Sequence, residues 1–257
     1  PFCRSNTVYA DKSNLDMLSA VLDGVVQRFD LDGVLLDEVN AGAVMTHSRD
    51  FNLAREAVLS SKLSPLTPGI TLQQACGTSL QGALTLAAKI ACGQIDSGIA
   101  AGTDTTSDAP IVFGDKFAHR MIKLSHARTA KQRMGALKGF GPGELKPVSP
   151  KNGEMRTGLS MGQHCERMAQ EWHIKREDQD LLAFESHQKA AAAYEEGFFD
   201  PLIMPWAGIS RDNNLRADTS LEKLGTLRTV FDKGTKATLS ATAMPETMPN
   251  IRIRGTN

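Results

Sequence analysis

Residues 73 to 93 read QQACGTSLQGALTLAAKIACG and place Cys76 where a short strand gives way to a helix. At a helix start, the aligned peptide dipoles and free backbone N–H groups favour a thiolate, the nucleophilic form of cysteine. Those N–H groups could also bind the oxyanion that forms on an attacked carbonyl. Gly77 would let a substrate approach the backbone closely. Cysteine is also among the most buried residue types, so position alone leaves simple packing open as the alternative.

Composition excludes several classes of function. The 257 residues hold 29 Lys plus Arg against 29 Asp plus Glu, so net charge gives no sign of a nucleic-acid partner. No apolar run approaches the roughly 20 residues that span a bilayer. The four cysteines are scattered without a CxxC pair, which argues against a structural zinc site and a disulfide framework. The sequence therefore predicts no metal, and a reducing cytoplasm is the expected compartment.

The spacing of apolar residues predicts the elements that must position Cys76. In chain order they are a helix at 14–29 capped by Asn14, a strand at 34–45, a helix at 51–63, a strand at 69–75, a helix at 78–91 and a strand at 97–104. The 78–91 helix has one polar stripe, of Gln81, Thr85 and Lys89, which predicts that most of it is buried. Alternating strands and helices indicate an α/β layer with a mainly parallel sheet.

The pattern changes near residue 109. Residues 116–138 carry seven Lys or Arg, two His and no acidic residue. A Gly/Pro-rich stretch at 139–153 follows, and helices are predicted at 161–172 and 176–197. This second region is expected to be an α-rich insertion on the α/β layer.

Three segments resemble those of the thiolases. QACGTSLQGALTLAAKIACGQIDSGIAAGTD, at 74–104, resembles the family segment in which a cysteine at a helix start becomes acylated. Two later stretches also resemble segments of the family, namely MGQHCERMAQEWHIKREDQDLLAFESHQKAAAAYEEGFFD and RDNNLRADTSLEKLGTLRTVFDK. The second resembles the family segment that leads out of a substrate-binding loop domain. The resemblance runs from residue 1 to 239 in family order. It is nearest to the bacterial fatty-acid-oxidation type, which is related to the trifunctional-enzyme β subunit.

The resemblance implies an α/β, thiolase-like layered fold, represented here by an N-terminal half with an incomplete sheet and an inserted α-rich loop domain. The expected divisions are a core with the nucleophile at 1–108, a CoA-binding loop domain at 109–230, and the end of the half at 231–257, which diverges after residue 239. The family's first strand has no counterpart in the sequence. Taking that strand as central, we expect a slot between the strands near 34–45 and 97–104, with unpaired strand edges and uncovered apolar faces.

The resemblance also implies an acyltransferase that reversibly cleaves 3-ketoacyl-CoA to acetyl-CoA and a shortened acyl-CoA, or forms acetoacetyl-CoA in reverse. Cys76 would carry the acyl group as a thioester. Arg216 matches the loop-domain arginine that meets the nucleotide end of CoA, with an ordinary surface arginine as the alternative. Met161 matches a methionine lining the pantetheine tunnel, and Ser160 stands where many thiolases have histidine. CoA is a substrate, so no cofactor is expected.

The family also uses a histidine in a GHPxG-like motif, an asparagine in an NEAF-like motif and a second cysteine in a CxG motif. None of these motifs occurs in the 257 residues. The expectation is a truncated reading frame or a frameshift, and the alternative function is a catalytically incomplete remnant that only binds CoA or a partner subunit. A ketoacyl synthase is a further alternative, although its motif usually reads ACSSSL rather than ACGTSL.

Partners implied by the resemblance are acyl-CoA and CoA, further copies of the chain in a dimer or tetramer, and a hydratase/dehydrogenase subunit of a fatty-acid-oxidation complex. The basic run at 116–138 is either a solvated face or a docking surface for CoA phosphates, a partner subunit or acidic lipid. His173 and His187 are interpreted as structural, His164 as a weak candidate for the pantetheine tunnel because it neighbours Met161, and Cys92 and Cys165 as inert helix residues.

Overall fold

The computed structural model describes residues 1–151 and 153–231. The first helix, α1 (Asn14–Phe29), starts at a capping box: the Ser13 hydroxyl accepts from the Asp16 N–H at 3.1 Å, and the Asp16 carboxylate accepts from the Ser13 N–H at 2.9 Å. Hydrogen bonds from the Ser13 backbone and side chain lower the pKa of Asp16. The prediction that Asn14 caps this helix is wrong. Asn14 lies inside the helix, and its side-chain amide donates to the Met45 carbonyl at 2.8 Å.

A three-stranded parallel sheet supports the region around Cys76. Strand β1 (Glu38–Gly42) is central, with β2 (Gly69–Thr71) on one side and β3 (Gly98–Gly102) on the other. The crossovers carry α2 (Leu53–Ser60), which follows a 3-10 turn at Ser48–Asp50, and α3 (Thr78–Ala91). The helices lie close to their predicted positions, and the strands are shorter than predicted.

The expected slot in the sheet does not exist. β1 and β3 pair directly over five residues, from Glu38 opposite Gly98 to Gly42 opposite Gly102, so no strand lies between them. The prediction of a slot between these two strands is therefore wrong. Within the described residues the sheet ends at β2 on one side and at β3 on the other, and the outer edges of both strands are left unpaired.

The hydrophobic core lies on one face of the sheet. Val39 and Ala41 of β1 are fully buried there against α1 and α2, and Leu18 and Leu22 of α1 are at most 1% exposed. Further core members are Val26, Leu36, Ala43, Leu53, Ala54, Ala57, Val58 and Leu63. Regular apolar spacing along α1 and α2 thus covers this face.

Helix α3 covers the other face of the sheet with a narrow stripe. Its buried residues are Thr78, Gly82 and Leu86, four apart, whereas Leu80 is 65% and Leu84 57% exposed. The prediction that most of α3 is buried is therefore wrong. One helix face rests on the sheet, and no described element covers the opposite face. Uncovered apolar surface was expected, and it is found here on a helix.

The described residues divide into two compact units, 1–150 with 191–215, and those described within 151–190 with 216–231. The first also contains the antiparallel pair β4 (Val112–Phe113) and β5 (Pro147–Val148) with helices α4 (Asp115–His126) and α5 (Ala130–Leu137). The basic run lies on these two helices. These bounds differ from the predicted core and loop domain, whose division at 108/109 stays a prediction. The predicted last segment lies outside the described residues except for Phe231.

The second unit contains α6 (Met161–Glu171), most of α7 (Arg176–Glu195) and α8 (Leu221–Gly225). Arg176 ties α7 to the α8 region, because its guanidinium donates to the carbonyls of Leu224 at 2.8 Å and Leu227 at 3.2 Å while pairing with Asp180. Among the described helices, none is long and apolar enough to cross a membrane.

Gly42 allows β1 to lie against the turn before α3, and this gives a test of the fold. A methyl group at Gly42 would overlap the Leu72 carbonyl and lie 2.9 Å from the Thr78 methyl carbon. We expect Gly42→Ala to lower the free energy of unfolding by about 2 kcal/mol or more, measured by urea denaturation. Gly135→Ala in α5 is the control, because no atom lies near its added methyl. Equal stability of the two variants would contradict this packing.

Candidate functional site

A tight turn between β2 and α3 carries Cys76. The Thr78 hydroxyl accepts a hydrogen bond from the Gln74 N–H at 2.9 Å and donates one to the Ala75 carbonyl at 2.7 Å. The Gly77 N–H donates to the Gln74 carbonyl at 3.0 Å, which closes the turn a second time. Thr78 is buried and its two bonds are partly buried, so they are partly shielded from competing water. The backbone on both sides of Cys76 is therefore held in one shape.

The residue before Cys76 has a strained backbone. Ala75 has φ of 44°, in the left-handed region that a residue with a Cβ rarely adopts. Such a conformation costs about 1–3 kcal/mol and persists only where the surrounding structure enforces it. Here the Thr78 hydroxyl binds the Ala75 carbonyl, and the turn exposes Cys76 directly before the N-cap residue of α3, Gly77.

The first N–H groups after Cys76 are already occupied. The Gly77 N–H donates to Gln74, and the Thr78 N–H donates to the Ala75 carbonyl at 3.3 Å. The expectation that N–H groups here would bind an oxyanion therefore does not hold for these two. At Gly77 an added methyl would meet only the Gln74 carbonyl oxygen, at 3.4 Å. The role of Gly77 in close substrate approach stays a prediction.

The sequence analysis missed a row of buried polar residues beneath α3. On the α3 side of β1, Glu38 pairs with Lys89 at 2.5 Å. Asn40 is fully buried, and neither side-chain amide atom has a hydrogen-bond partner among the described residues. The sequence did contain a signal for these residues, an alternation of polar and apolar side chains. Glu38 and Asn40 flank Val39 in a strand that is otherwise apolar. Lys89, assigned to a polar stripe, turns inward to neutralise Glu38.

The four cysteines are free, and exposure does not separate Cys76 from two of the others. Cys76, Cys92 and Cys165 are all exposed, and Cys3 is half-buried. Cys92 is the C-cap residue of α3, at the opposite end of the helix that Cys76 precedes. The helix dipole therefore favours a negative charge at Cys76 and disfavours one at Cys92.

Tyr9 lies near Cys3. Burial, as the larger cause, and the proximity of Cys3, as the next, raise the pKa of the Tyr9 hydroxyl to about 12.

In the second unit, Arg216 lies on an exposed loop before α8. Its N–H donates to His187 Nδ1 at 3.3 Å, and the next carbonyl, of Ala217, accepts from Gln188 Nε2 at 3.1 Å. Within the part of the chain that the structure describes, the Arg216 guanidinium makes no ion pair, so it is available to an anion. This contact agrees with the structural interpretation of His187, which stays a prediction.

Ser160 and Met161 lie at the start of α6. Ser160 is the N-cap residue: its hydroxyl accepts from the Gln163 N–H at 3.3 Å, and its N–H donates to Gln163 Oε1 at 2.8 Å. The Ser160 hydroxyl is thus engaged in capping. Met161 is 75% exposed. His164 Nε2 lies 3.2 Å from the Thr157 hydroxyl, and its place in the tunnel stays a prediction.

The candidate residues fall into two groups. Cys76 and Gly77 belong to the first unit, and Ser160, Met161 and Arg216 belong to the second. A cavity of about 740 Å³ in the first unit is lined by the outer side of α1 and residues 202–206, and Cys76 is not part of its wall. Among the described residues, no cluster of His, Cys, Asp or Glu is arranged to hold a metal ion.

Comparison with known proteins decides the family. A family model described as the thiolase N-terminal domain matches residues 1–245. The chain belongs to the thiolase family. This membership decides against the ketoacyl synthase alternative, and it agrees with the resemblance seen in the cysteine segment.

The similar curated proteins of this family are longer than the chain. The 3-ketoacyl-CoA thiolase of Colwellia psychrerythraea is 35% identical over 253 residues, which cover 96% of this chain and 58% of the relative. The protein of the same name from Photobacterium profundum is 37% identical with the same coverage. The crystal structure of the Bacillus anthracis acetyl-CoA acetyltransferase superposes with a TM-score of 0.70 at 24% identity, over 91% of this chain and 57% of that one. It supports the layered α/β thiolase fold.

Competition between Cys76 and Cys92 tests the position of the nucleophile, because both are exposed and lie at opposite ends of α3. We expect iodoacetamide at neutral pH to alkylate Cys76 several-fold faster than Cys92, since Cys76 precedes the N-terminal end of the α3 dipole and Cys92 lies at its C-terminal end. Peptide mass spectrometry over a time course measures both rates in one sample. Faster labelling of Cys92, Cys165 or Cys3 in the folded chain would contradict the assignment.

Proposed function

We propose that the protein is an acyltransferase of the thiolase type that cleaves 3-ketoacyl-CoA to acetyl-CoA and a shortened acyl-CoA, reversibly. The observation that carries this proposal is an exposed cysteine on a strained turn, directly before the helix α3, in a chain of the thiolase family. The names of the similar curated proteins support the choice of substrate.

Cys76 is the proposed nucleophile. Its thiolate adds to the 3-keto carbon, the bond between the second and third acyl carbons breaks, and the electron pair on the second carbon takes a proton to give acetyl-CoA. The shortened acyl group stays on Cys76 Sγ as a thioester until the thiolate of a second CoA displaces it. Dividing one difficult cleavage into two steps is the advantage of the covalent intermediate.

CoA recognition is assigned to the second unit. Arg216 would meet the nucleotide end of CoA through its exposed guanidinium, and Met161 would line the path of the pantetheine arm. Ser160 belongs to the same helix start, but its hydroxyl and its N–H are both engaged in capping α6, so we do not assign it a contact with CoA. Gly77 is proposed as the point where the thioester approaches the backbone beside Cys76.

The proposal extends to the setting of the reaction. We propose fatty-acid β-oxidation in the cytoplasm, with further copies of the chain and a hydratase/dehydrogenase subunit as partners. The names of the relatives support the pathway, and four free cysteines fit a reducing compartment. CoA serves as a substrate, and no additional cofactor is proposed.

The family's further catalytic groups are not among the residues printed: the 257 residues contain no GHPxG-like histidine, NEAF-like asparagine or CxG cysteine. Those groups would activate Cys76 and protonate the departing carbon, and each such contribution is worth about two orders of magnitude or more. For the residues printed here, the proposed chemistry is therefore transfer of an acyl group to Cys76.

Acetyl-CoA tests this transfer without C–C cleavage. The Cys76 thiolate attacks the thioester, CoA leaves as its thiolate, and the acetyl group moves to sulfur. We expect acetylation of Cys76 at least tenfold faster than of Cys92 in the same chain, with a rate that saturates as acetyl-CoA increases. Mass spectrometry of peptides after incubation with isotopically labelled acetyl-CoA gives both rates.

Two controls make the result specific. The acetyl thioester of N-acetylcysteamine lacks the nucleotide, so it measures the intrinsic acylation of each cysteine. Cys76→Ala should abolish the fast phase, and Cys92→Ser should retain it. Equal acetylation of Cys76 and Cys92, or no difference between the two donors, would overturn the proposed function for this chain.

A further inference from the structure

We propose that His187 and Gln188 are positioning residues that hold the Arg216 loop in the conformation that binds CoA. The inference rests on the proposed function, since it concerns the arginine assigned to the nucleotide end of CoA. Neither residue would touch the ligand. They would act through the loop backbone.

The geometry consists of two neighbouring side chains that hold two neighbouring backbone groups. His187 Nδ1 accepts from the Arg216 N–H at 3.3 Å, and Gln188 Nε2 donates to the Ala217 carbonyl at 3.1 Å. Side chains adjacent in a helix point about 100° apart, so the two bonds reach the loop from different directions. One bond would leave the peptide free to swing about it, whereas two bonds fix its orientation.

The other side of the loop is closed by its own residues. The Thr219 N–H donates to the Arg216 carbonyl at 3.2 Å, and Lys223 Nζ lies 3.1 Å from the Asp218 carboxylate and 2.6 Å from the Asp218 carbonyl. The hydrogen bond from Lys223 lowers the pKa of Asp218. Asp218, the nearest acidic group in sequence, is thus paired with Lys223; the Arg216 charge also contributes to lowering its pKa, but the Arg216 guanidinium forms no ion pair with it.

The role of His187 depends on one nitrogen. Nδ1 must carry no proton in order to accept from the Arg216 N–H, so the ring is neutral with its proton on Nε2. An asparagine side chain can place its carbonyl oxygen near the position of Nδ1, whereas alanine offers no acceptor. His187→Asn is therefore a rescue variant. It separates hydrogen bonding from the general effect of changing a residue in α7.

Binding and loop order are measured together on the 257-residue chain. We expect His187→Ala to weaken CoA binding about fivefold by calorimetry, the effect of one ordinary hydrogen bond. Trypsin cleavage after Arg216 should accelerate by a similar factor, because a released loop fits a protease better. His187→Asn should restore both values to near those of the original chain, and Gln188→Ala should shift both in the same direction as His187→Ala.

Lys189→Ala is the matched control, since Lys189 lies next on α7 and pairs only with Glu185 among the described residues. It should change neither readout. Failure of His187→Asn to rescue, or equal effects of His187→Ala and Lys189→Ala, would overturn the positioning role. Should His187→Ala unfold the chain, as judged by circular dichroism, His187→Asn and Gln188→Ala decide the question.

Arg216→Ala separates this inference from the proposed function. If this variant binds CoA as tightly as the original chain, the CoA role of Arg216 is wrong, and so is a positioning role directed at it. Trypsin cleavage of the His187→Ala chain, which keeps Arg216, would still show whether His187 holds the loop. If Arg216→Ala weakens CoA binding and His187→Ala does not, the proposed function stands and only the positioning role is wrong.

Discussion

The pair of hydrogen bonds made by the Thr78 hydroxyl is the interaction on which the candidate site depends. One holds the Gln74 N–H and the other the Ala75 carbonyl, so the chain on the N-terminal side of Cys76 is fastened to the first residue of α3. Without them, the turn would be held by the Gly77 N–H bond to the Gln74 carbonyl and the longer Thr78 N–H bond to the Ala75 carbonyl, against about 1–3 kcal/mol of strain that unwinding the turn would release. In the unwound turn, Cys76 would no longer lie at the helix start.

The position of this turn depends on small residues in the sheet and in α3. Gly42 lets the end of β1 pass beside the Thr78 methyl group and the Leu72 carbonyl, and Gly82 lets α3 approach Asn40 closely. The helix can therefore rest on β1 and β3 with only Thr78, Gly82 and Leu86 as its buried stripe. The glycines and alanines of this segment contribute little hydrophobic area. They set distances, and those distances fix where the cysteine is presented.

The sequence was informative wherever a local pattern carries the signal. The bounds of α1 and α3, the parallel sheet and the strand-to-helix position of Cys76 follow from periodicity and residue type. The burial of α3 was misjudged, because an apolar surface does not reveal whether another element covers it. The left-handed Ala75 was not foreseen, since its cause is a side-chain contact. Bonds such as His187 to Arg216 join residues 29 apart, and no periodicity encodes them.

The most direct test compares Thr78→Val with Thr78→Ser through the ratio of Cys76 to Cys92 alkylation in one sample. Valine keeps the shape of threonine without the hydroxyl, and serine keeps the hydroxyl without the methyl group. We predict that valine lowers the ratio about fivefold or more, because one or both hydrogen bonds of the turn are lost, whereas serine largely preserves it. An unchanged ratio in Thr78→Val would contradict the claim that this hydroxyl positions the cysteine.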